Sequence, residues 1–440
     1  MKKVALQTLG CRANQLESSI IIDKFLKLGW EVVNFNSFAD IYIINTCTVT
    51  GKSDNSSLSF VRKAKKINPA AKIIIAGCYP QVAAEEIAKI QDIDLVIGNA
   101  EKLNLPELLE KHDVFNENSG KIYVSDIMKE EKFRDETVLS ASGRVRANIK
   151  IQDGCNYRCS YCIIPYARGK SRSKELYGTI EQIKQITDKG FKEIVLSGIH
   201  LGQWGLDLNP QKTLLTLLEE IEKISELKRF RLSSLDPMEL NEEMITFLAN
   251  SEKFCRHLHI SLQSGNNEVL KRMNRRYTVE YYSELINSLV EKIPFINIGS
   301  DIIVGFPGET DANFENTYEN LKKLSIGYIH IFPHSKRKNT PAAIMRDQVD
   351  EKVKKYRAAR LKALAAEKSL EFREKLVGNE FEIIVENTRD KNTGLLKGMT
   401  DNFISTLIAG DNELKNQLVR VKITSTDEKT TFGQSNSSLY

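Results

Sequence analysis

Between residues 3 and 109 the chain alternates short apolar runs with amphipathic stretches. Val4-Ala5-Leu6, Ile41-Tyr42-Ile43-Ile44, Ile73-Ile74-Ile75-Ala76 and Leu95-Val96-Ile97 are rich in β-branched side chains, the pattern of strands buried on both faces. Residues 14–28, 51–67 and 81–90 place apolar side chains at helical spacing and predict the helices between them. Parallel neighbours need such crossovers, so the alternation predicts a small α/β domain with a parallel sheet. Residues 110–144 are charged and weakly periodic, and read as a connector carrying at most a short strand at 121–124.

Strand-then-helix units return from 146 to 338. Strands are predicted at 147–151, 193–196, 230–232, 257–262, 298–304 and 328–332, with helices at 179–189, 214–224, 242–249, 268–272, 279–292 and 311–324. Six such units predict a partial (β/α)6 barrel. The strands run into polar or flexible loops, the rim on which β/α barrels build their sites. Residues 349–376 predict a Lys/Arg-rich helix, read first as a solvated face and second as a nucleic-acid contact. After Gly378, alternating runs at 381–385, 394–397, 403–407, 419–423 and 431–432 predict a small antiparallel β-barrel, the size of single-barrel RNA-binding modules. The expected divisions are 1–125, 141–372 and 375–440.

At 440 residues the chain exceeds what one core organises, in keeping with several domains. Hydrophobic content of 41% and charged content of 28% exclude disordered and fibrous classes. A net charge of +5 permits an RNA partner without requiring one. No apolar run is long enough to span a bilayer and no signal peptide precedes Val4, so a cytoplasmic protein with no membrane partner is expected. In such a chain seven cysteines point to metal or catalysis before disulfides.

Their positions sharpen that expectation. Cys11, Cys47 and Cys78 each follow a predicted strand, beside Gly or Thr. One buried thiol is ordinary packing. Three at the carboxyl ends of parallel strands predict a shared ligand site. Cys155, Cys159 and Cys162 are spaced C-x3-C-x2-C, which fits one corner of an iron–sulfur cluster, whereas tetrahedral zinc asks for a fourth ligand nearby. Three thiolates hold three irons of a [4Fe–4S] cluster and leave the fourth open to the amine and carboxylate of S-adenosylmethionine (SAM), the radical-SAM pattern. Cys255 lacks a spaced partner and reads as a structural thiol. None of His200, His257, His259, His330 and His334 is needed as a metal ligand; His200 stands out because it lies in a rim loop. Met273 and Trp204 read as packing residues.

Asn45-Thr46-Cys47-Thr48-Val49-Thr50, Gly77-Cys78-Tyr79-Pro80-Gln81, the run from Gly154-Cys155 through Cys162-Ile163-Ile164-Pro165-Tyr166-Ala167-Arg168-Gly169, and Val304-Gly305-Phe306-Pro307-Gly308-Glu309-Thr310 resemble the radical-SAM methylthiotransferases over nearly the whole chain. The resemblance implies two [4Fe–4S] clusters, an auxiliary one on Cys11, Cys47 and Cys78 and the SAM cluster on Cys155, Cys159 and Cys162. It implies a carboxy-terminal TRAM module that binds tRNA. SAM serves as radical source and as methyl donor: sulfur enters at carbon 2 of a modified adenine and is then methylated. Implied SAM contacts are backbone groups at Ser197, Gly198, Ser233, Ser234 and Gly305, the side chains of Gln263, Ser264 and Asp301, and Tyr161 against the adenine. Arg168, Lys170, Arg172 and Lys174, beside the triad, are candidates for contacts with phosphates of the anticodon stem-loop.

Gly198-Ile199-His200-Leu201-Gly202 and Arg168-Gly169-Lys170-Ser171-Arg172-Ser173 look like the branch acting on N6-threonylcarbamoyladenosine next to the anticodon. The isopentenyladenosine branch is the rival enzyme, and an iron–sulfur RNA-binding or redox-sensing protein the rival of another class. A monomer reduced by a flavodoxin or ferredoxin is expected, with the sulfur donor open.

Overall fold

The computed structural model describes residues 2–111, 121–136 and 145–435. Parts of the connector at 112–120 and 137–144, with the expected boundary at 141, lie outside the described residues, as do 436–440.

In the first unit β1 (Lys3–Thr8), β2 (Glu31–Val33), β3 (Ile41–Thr46), β4 (Lys72–Gly77), β5 (Leu95–Ile97) and β6 (Ile122–Tyr123) form one sheet in the order β2-β1-β3-β4-β5-β6, every pair parallel. β3 and the rest of β4 beyond Lys72 are buried throughout, which is why they read as unbroken apolar runs. Helices α1 (Arg12–Lys27), α2 (Gly51–Ile67) and α3 (Cys78–Ala88) cross over between strands. Two cores sandwich the sheet: Ile20, Ile21, Phe25, Ile43 and Ile74 on one face, Tyr42, Ile44, Val61, Ile73 and Ile75 on the other. α3 starts three residues earlier than the predicted 81, at Cys78 itself, and is kinked at Ala83 (φ −144°, ψ 35°). The edge strand β2 was not expected; at three half-buried residues it is too short to show a period.

The second unit contains β7 (Arg146–Lys150), a small ribbon of β8 (Gln152–Asp153) and β9 (Arg172–Ser173), then β10 (Glu193–Ser197), β11 (Arg229–Leu232), β12 (His257–His259), β13 (Asn297–Val304) and β14 (Tyr328–Pro333). Parallel ladders β7-β10-β11 and β12-β13-β14 are joined by the bridges Phe230 to Phe254 and Leu235 to Ile260, making an open arc of the six expected strands with β7 and β14 at its edges. The fourth strand leaves the ladder at His259 rather than 262, continuing as single bridges. Ile149, Ile194, Phe230, Leu258 and Ile298 face the surrounding helices in one large core. By the two-residue period of a strand, Arg146, Glu193, Arg231, His257, His259, Asp301, Tyr328 and His330 face the lumen, which is therefore polar.

The last unit closes in the order β15 (Glu380–Arg389), β16 (Leu396–Thr400), β17 (Ser405–Ile408), β19 (Thr431–Ser435) and β18 (Leu418–Thr426). The expected antiparallel pattern holds except between β17 and β19, which pair parallel. This unit plugs onto the barrel. Arg229 donates to the carbonyls of Glu382 (3.0 Å) and Met399 (2.9 Å), Arg231 to those of Asp401 (2.8 Å) and Thr400 (3.1 Å), and Asn297 to that of Asn402 (2.9 Å).

The basic helix Glu351–Glu374 is not simply a solvated face. Arg357 is buried and pairs with Glu309 (2.6 Å) and Asp311 (2.7 Å), Lys368 donates to the Lys322 carbonyl (2.9 Å), and Arg373 binds the turn around Asp427 (2.7 Å). Charge that sequence reading sends to solvent here joins the second unit to the third. Among the described residues no helix is long and apolar enough to cross a membrane.

Candidate active site

The strand β7 delivers the loop 154–162. Gly154 has φ +73°, and a Cβ there would lie 1.9 Å from the Lys170 carbonyl oxygen, so only glycine fits. Beyond it the Cys155 amide donates to the Gly169 carbonyl and that of Cys162 to Cys159, both at 3.0 Å. Cys159 is buried and the other two thiols are half-buried. Nitrogen groups are aimed at the sulfurs: His200 Nδ1 lies 3.3 Å from Cys155 Sγ, and Arg275 Nη1 donates to Cys159 Sγ at 3.2 Å. Glu239 holds the far side of the His200 ring and Asp236 the far side of Arg275. Burial pulls the His200 pKa down, but Cys155 and Glu239 outweigh it and hold it up to about 10. Burial and then Cys159 push the Cys162 thiol up to about 12.

In the first unit Cys11 caps α1 and is exposed, Cys47 follows β3, and Cys78 opens α3 directly after β4; the last two are buried. Gly10 (φ +89°) makes their approach feasible, since a Cβ there would meet Cys47 Cβ at 2.5 Å. Burial, with the Cys78 and Cys11 thiols adding to it, raises the Cys47 pKa to about 11. Asn99 Nδ2 donates to Cys78 Sγ at 3.4 Å. Three convergent thiols per set, with N–H donors directed at sulfur, suit iron–sulfur ligation, and bound metal would displace the protons that burial favours on Cys47 and Cys162. Cys255 is fully buried on its own at the barrel wall, with its pKa pushed up to about 12 by burial, as a structural thiol should be.

The two sets are joined through the helix Ile164–Arg168, directly after Cys162. Asn99, already bonded to Cys78, also donates to the Ala167 carbonyl at 2.6 Å. Arg168 corrects the sequence reading. It is buried and its guanidinium binds Glu17 (3.0 Å), Asp153 (3.0 Å) and Asn14 (2.6 Å), so it cannot meet a phosphate. Burial lowers its pKa, but Glu17 and Asp153 raise it well above the usual value. Arg172 is likewise buried and donates to the carbonyl of Arg168 (3.0 Å), and Lys174 is buried against Gln182 (2.6 Å) and Asp135 (2.6 Å). Lys170 alone of the four is exposed.

A cavity of about 190 Å³ lies where the units meet, lined by Val49 and Thr50 just after Cys47, by Tyr161 and Cys162, and by Gln263 and Asp301. Tyr161 also packs against Val269, Met273 and Phe306. The remaining expected contacts differ in what they already bind. Ser264 is fully buried, its hydroxyl 3.4 Å from that of Thr317; the Gly305 amide donates to Glu309 Oε1 (2.9 Å), and a Cβ on Gly305 would strike Lys354. The Ser197 carbonyl accepts from the Ile151 amide (2.9 Å), and Gly198 is wedged against Gln152. Ser234 is exposed, while the buried hydroxyl of Ser233 has no partner among the described residues and remains suited to a ligand.

From Asp301 a hydrogen-bonded column runs down the lumen. Asp301 Oδ1 meets His259 Nε2 at 3.0 Å and His330 Nδ1 at 3.3 Å, while the Tyr328 hydroxyl lies 3.1 Å from His259 Nδ1 and 2.8 Å from His257 Nε2. Burial raises the Asp301 carboxyl, but its histidine partners pull it well below the usual range. The ligand atoms of His259, Asp301 and His330 lie within 4.8 Å of one another, an arrangement this hydrogen bonding already explains. At the lower end a second cavity of about 380 Å³ is lined by Arg12, Arg146, Arg231 and Phe403, residues that sequence reading did not single out. The only hint was the position of Arg12 beside Cys11.

A parallel arc with three thiols on its first loop is the architecture of the radical-SAM enzymes, and the Radical SAM superfamily matches residues 149–321, with uncharacterized protein family UPF0004 matching 3–98. Among curated proteins the chain is 43% identical over 423 residues to a threonylcarbamoyladenosine tRNA methylthiotransferase MtaB of Aquifex aeolicus, covering 96% of this chain and 100% of that protein. A protein of the same name from Bacillus subtilis is 40% identical, covering 96% and 94%. A tRNA-2-methylthio-N(6)-dimethylallyladenosine synthase of Carboxydothermus hydrogenoformans is 35% identical, covering 96% and 97%. The chain belongs to the radical-SAM tRNA methylthiotransferase family and is an enzyme of that class. Among solved structures the radical-SAM methyltransferase TsrM of Kitasatospora setae superposes with a TM-score of 0.56 at 16% identity, over 78% of this chain and 75% of that one, a likeness of fold alone.

Proposed function

We propose that this enzyme converts N6-threonylcarbamoyladenosine next to the anticodon of tRNA to its 2-methylthio derivative. The supporting observation is the cavity bordered at once by Cys162 of one thiol set and by Val49 and Thr50, which follow Cys47 of the other. In this reading Cys155, Cys159 and Cys162 hold the SAM cluster and Cys11, Cys47 and Cys78 the auxiliary cluster. When bound, these groups and SAM supply the electron, radical, sulfur and methyl chemistry of the reaction. The chain's own part is positioning. Tyr161, Gln263 and Asp301 shape the chamber, His200 and Arg275 direct positive charge at the sulfurs of Cys155 and Cys159, and the packed units keep water from the reacting carbon. The base reaches the chamber unstacked from the anticodon loop, as single-stranded bases can. Lys170 remains available to a phosphate. The units 1–125, 141–372 and 375–440 divide the work, the last taking the tRNA, in a cytoplasmic monomer reduced by a flavodoxin or ferredoxin.

Mass spectrometry of nucleosides from tRNA, with and without the gene, tests the reading. Loss of 2-methylthio-threonylcarbamoyladenosine supports it; its persistence alongside loss of the isopentenyl counterpart refutes it.

A further inference from the structure

The cavity at the lower end of the lumen is lined by three arginines, and their bonding states differ. Arg146 is paired with Glu386 at 3.0 Å. Arg231 and its neighbour Arg229 share Glu193, at 3.2 and 2.7 Å, and spend their remaining donors on carbonyls of the last unit. The side chain of Arg12 makes no hydrogen bond or ion pair among the described residues, although it lines the cavity and is half-buried. Burial, then Arg231 and Arg146, lower its pKa against the smaller opposing effects of Tyr328 and Glu193; since Glu193 and the cavity carboxylate Glu386 are already paired with other arginines, a further anion placed there would find an unmatched charge.

The position says which anion. Arg12 directly follows Cys11, and its electrostatic neighbours Arg231, Arg146, Tyr328 and Glu193 all face the lumen. Tyr328 begins the polar column that ends at Asp301 in the chamber beside Cys162. A base whose carbon 2 lies in that chamber carries its N6 substituent on a diverging bond, so the substituent leaves toward a different compartment. A threonylcarbamoyl group ends in a carboxylate, which a guanidinium matches with two parallel N–H donors; an isopentenyl group has no charge and no acceptor.

We infer that Arg12, in the cavity it forms with Arg146 and Arg231, binds the carboxylate of the threonylcarbamoyl group and is a specificity-determining residue of the enzyme. This inference rests on the substrate reading proposed above. It makes the choice between the two modified adenosines a matter of one unpaired charge in the lumen, since a site built for a polar group rejects analogues lacking it far more strongly than an apolar pocket rejects an added group.

The test compares the anaerobically reconstituted full chain on tRNA bearing threonylcarbamoyladenosine and on the same tRNA with that carboxylate converted to its neutral methyl amide. The wild type should favour the acid by at least about tenfold in kcat/KM, the discrimination of a charge-assisted hydrogen bond. Arg12→Gln should reduce the preference to within about twofold, chiefly through KM on the acid, and Arg12→Lys should largely keep it. Equal wild-type rates on acid and amide overturn the inference, whatever the variants do. An unchanged preference in Arg12→Gln with wild-type iron content overturns it too, as does an equal loss on both substrates, the signature of a backbone-phosphate contact. A wild type inactive on the acid but active on isopentenyl tRNA overturns the substrate reading itself, and the inference with it.

Discussion

Replacing Glu17 by Gln tests the joint between the first two units. Glu17 is only 2% exposed and binds Lys102 (2.6 Å), Lys150 (2.8 Å) and both terminal nitrogens of Arg168 (3.0 Å each). Lys150 and Arg168 belong to the barrel, Glu17 and Lys102 to the first unit. Asp153 is the other carboxylate of the cluster and also pairs with Arg172 (3.8 Å), so the variant leaves four buried cations facing one anion. Breaking a buried ion pair from one side costs about 3–5 kcal/mol. With a urea dependence of about 2 kcal/mol per molar, the unfolding midpoint should fall by about 2 M. Trp30 in the first unit and Trp204 in the barrel, the only two tryptophans, report the transition by fluorescence. Burial raises the Glu17 pKa, but Arg168, then Lys102 and Lys150, pull it well below the usual carboxylate range. A depressed folded pKa contributes stability that is present above the unfolded value and is lost as pH falls through the folded one. The gap between wild type and Glu17→Gln should therefore be constant above about pH 5 and narrow in more acid solution. A midpoint shift below about 0.5 M, or a gap that does not narrow in acid, would refute the reasoning.

Two further outcomes are expected. Replacing Cys11, Cys47 and Cys78 together by Ala should leave 5′-deoxyadenosine formation partly intact while abolishing methylthiolation, whereas the same change at Cys155, Cys159 and Cys162 abolishes both; chromatography of the two products checks this, and equal loss from both triples would mean that the sets do not work separately. Gly154→Ala places a Cβ against the Lys170 carbonyl at positive φ and should prevent the loop from closing, so iron after reconstitution should fall from about eight to about four per chain, while a value near eight would contradict the steric argument.

Regular elements were the legible part of this protein. Buried runs such as Ile73-Ile74-Ile75-Ala76 became central strands, and thiols following Thr8, Thr46 and Gly77 fell together because parallel strands end on one side of a sheet. Charge was the illegible part. Arg168, Arg172 and Lys174 stand beside a cysteine motif, and nothing local reveals that Glu17, some 150 residues earlier, takes the first of them out of solvent. Arg357 and Arg373 read as helix surface for the same reason: their partners lie on other elements. Arg12 drew no notice because a lone arginine has no period, and its isolation only becomes visible once every neighbouring arginine is seen to be engaged. Gly305 and Ser264 were drawn toward the cofactor by their place at strand ends, but each is occupied by a contact from a neighbouring helix or turn.

The way residues 399–402 sit on Arg231, Arg229 and Asn297 bears on how such a chain can change over time. A domain on a flexible tether can be traded for another by recombination. Here its backbone carbonyls complete the bonding of two arginines in the barrel wall, and their removal would strand those donors in a buried setting. The tail is thus inherited together with the barrel, and change in it has to arise by substitution on its outer surface rather than by exchange of the whole piece.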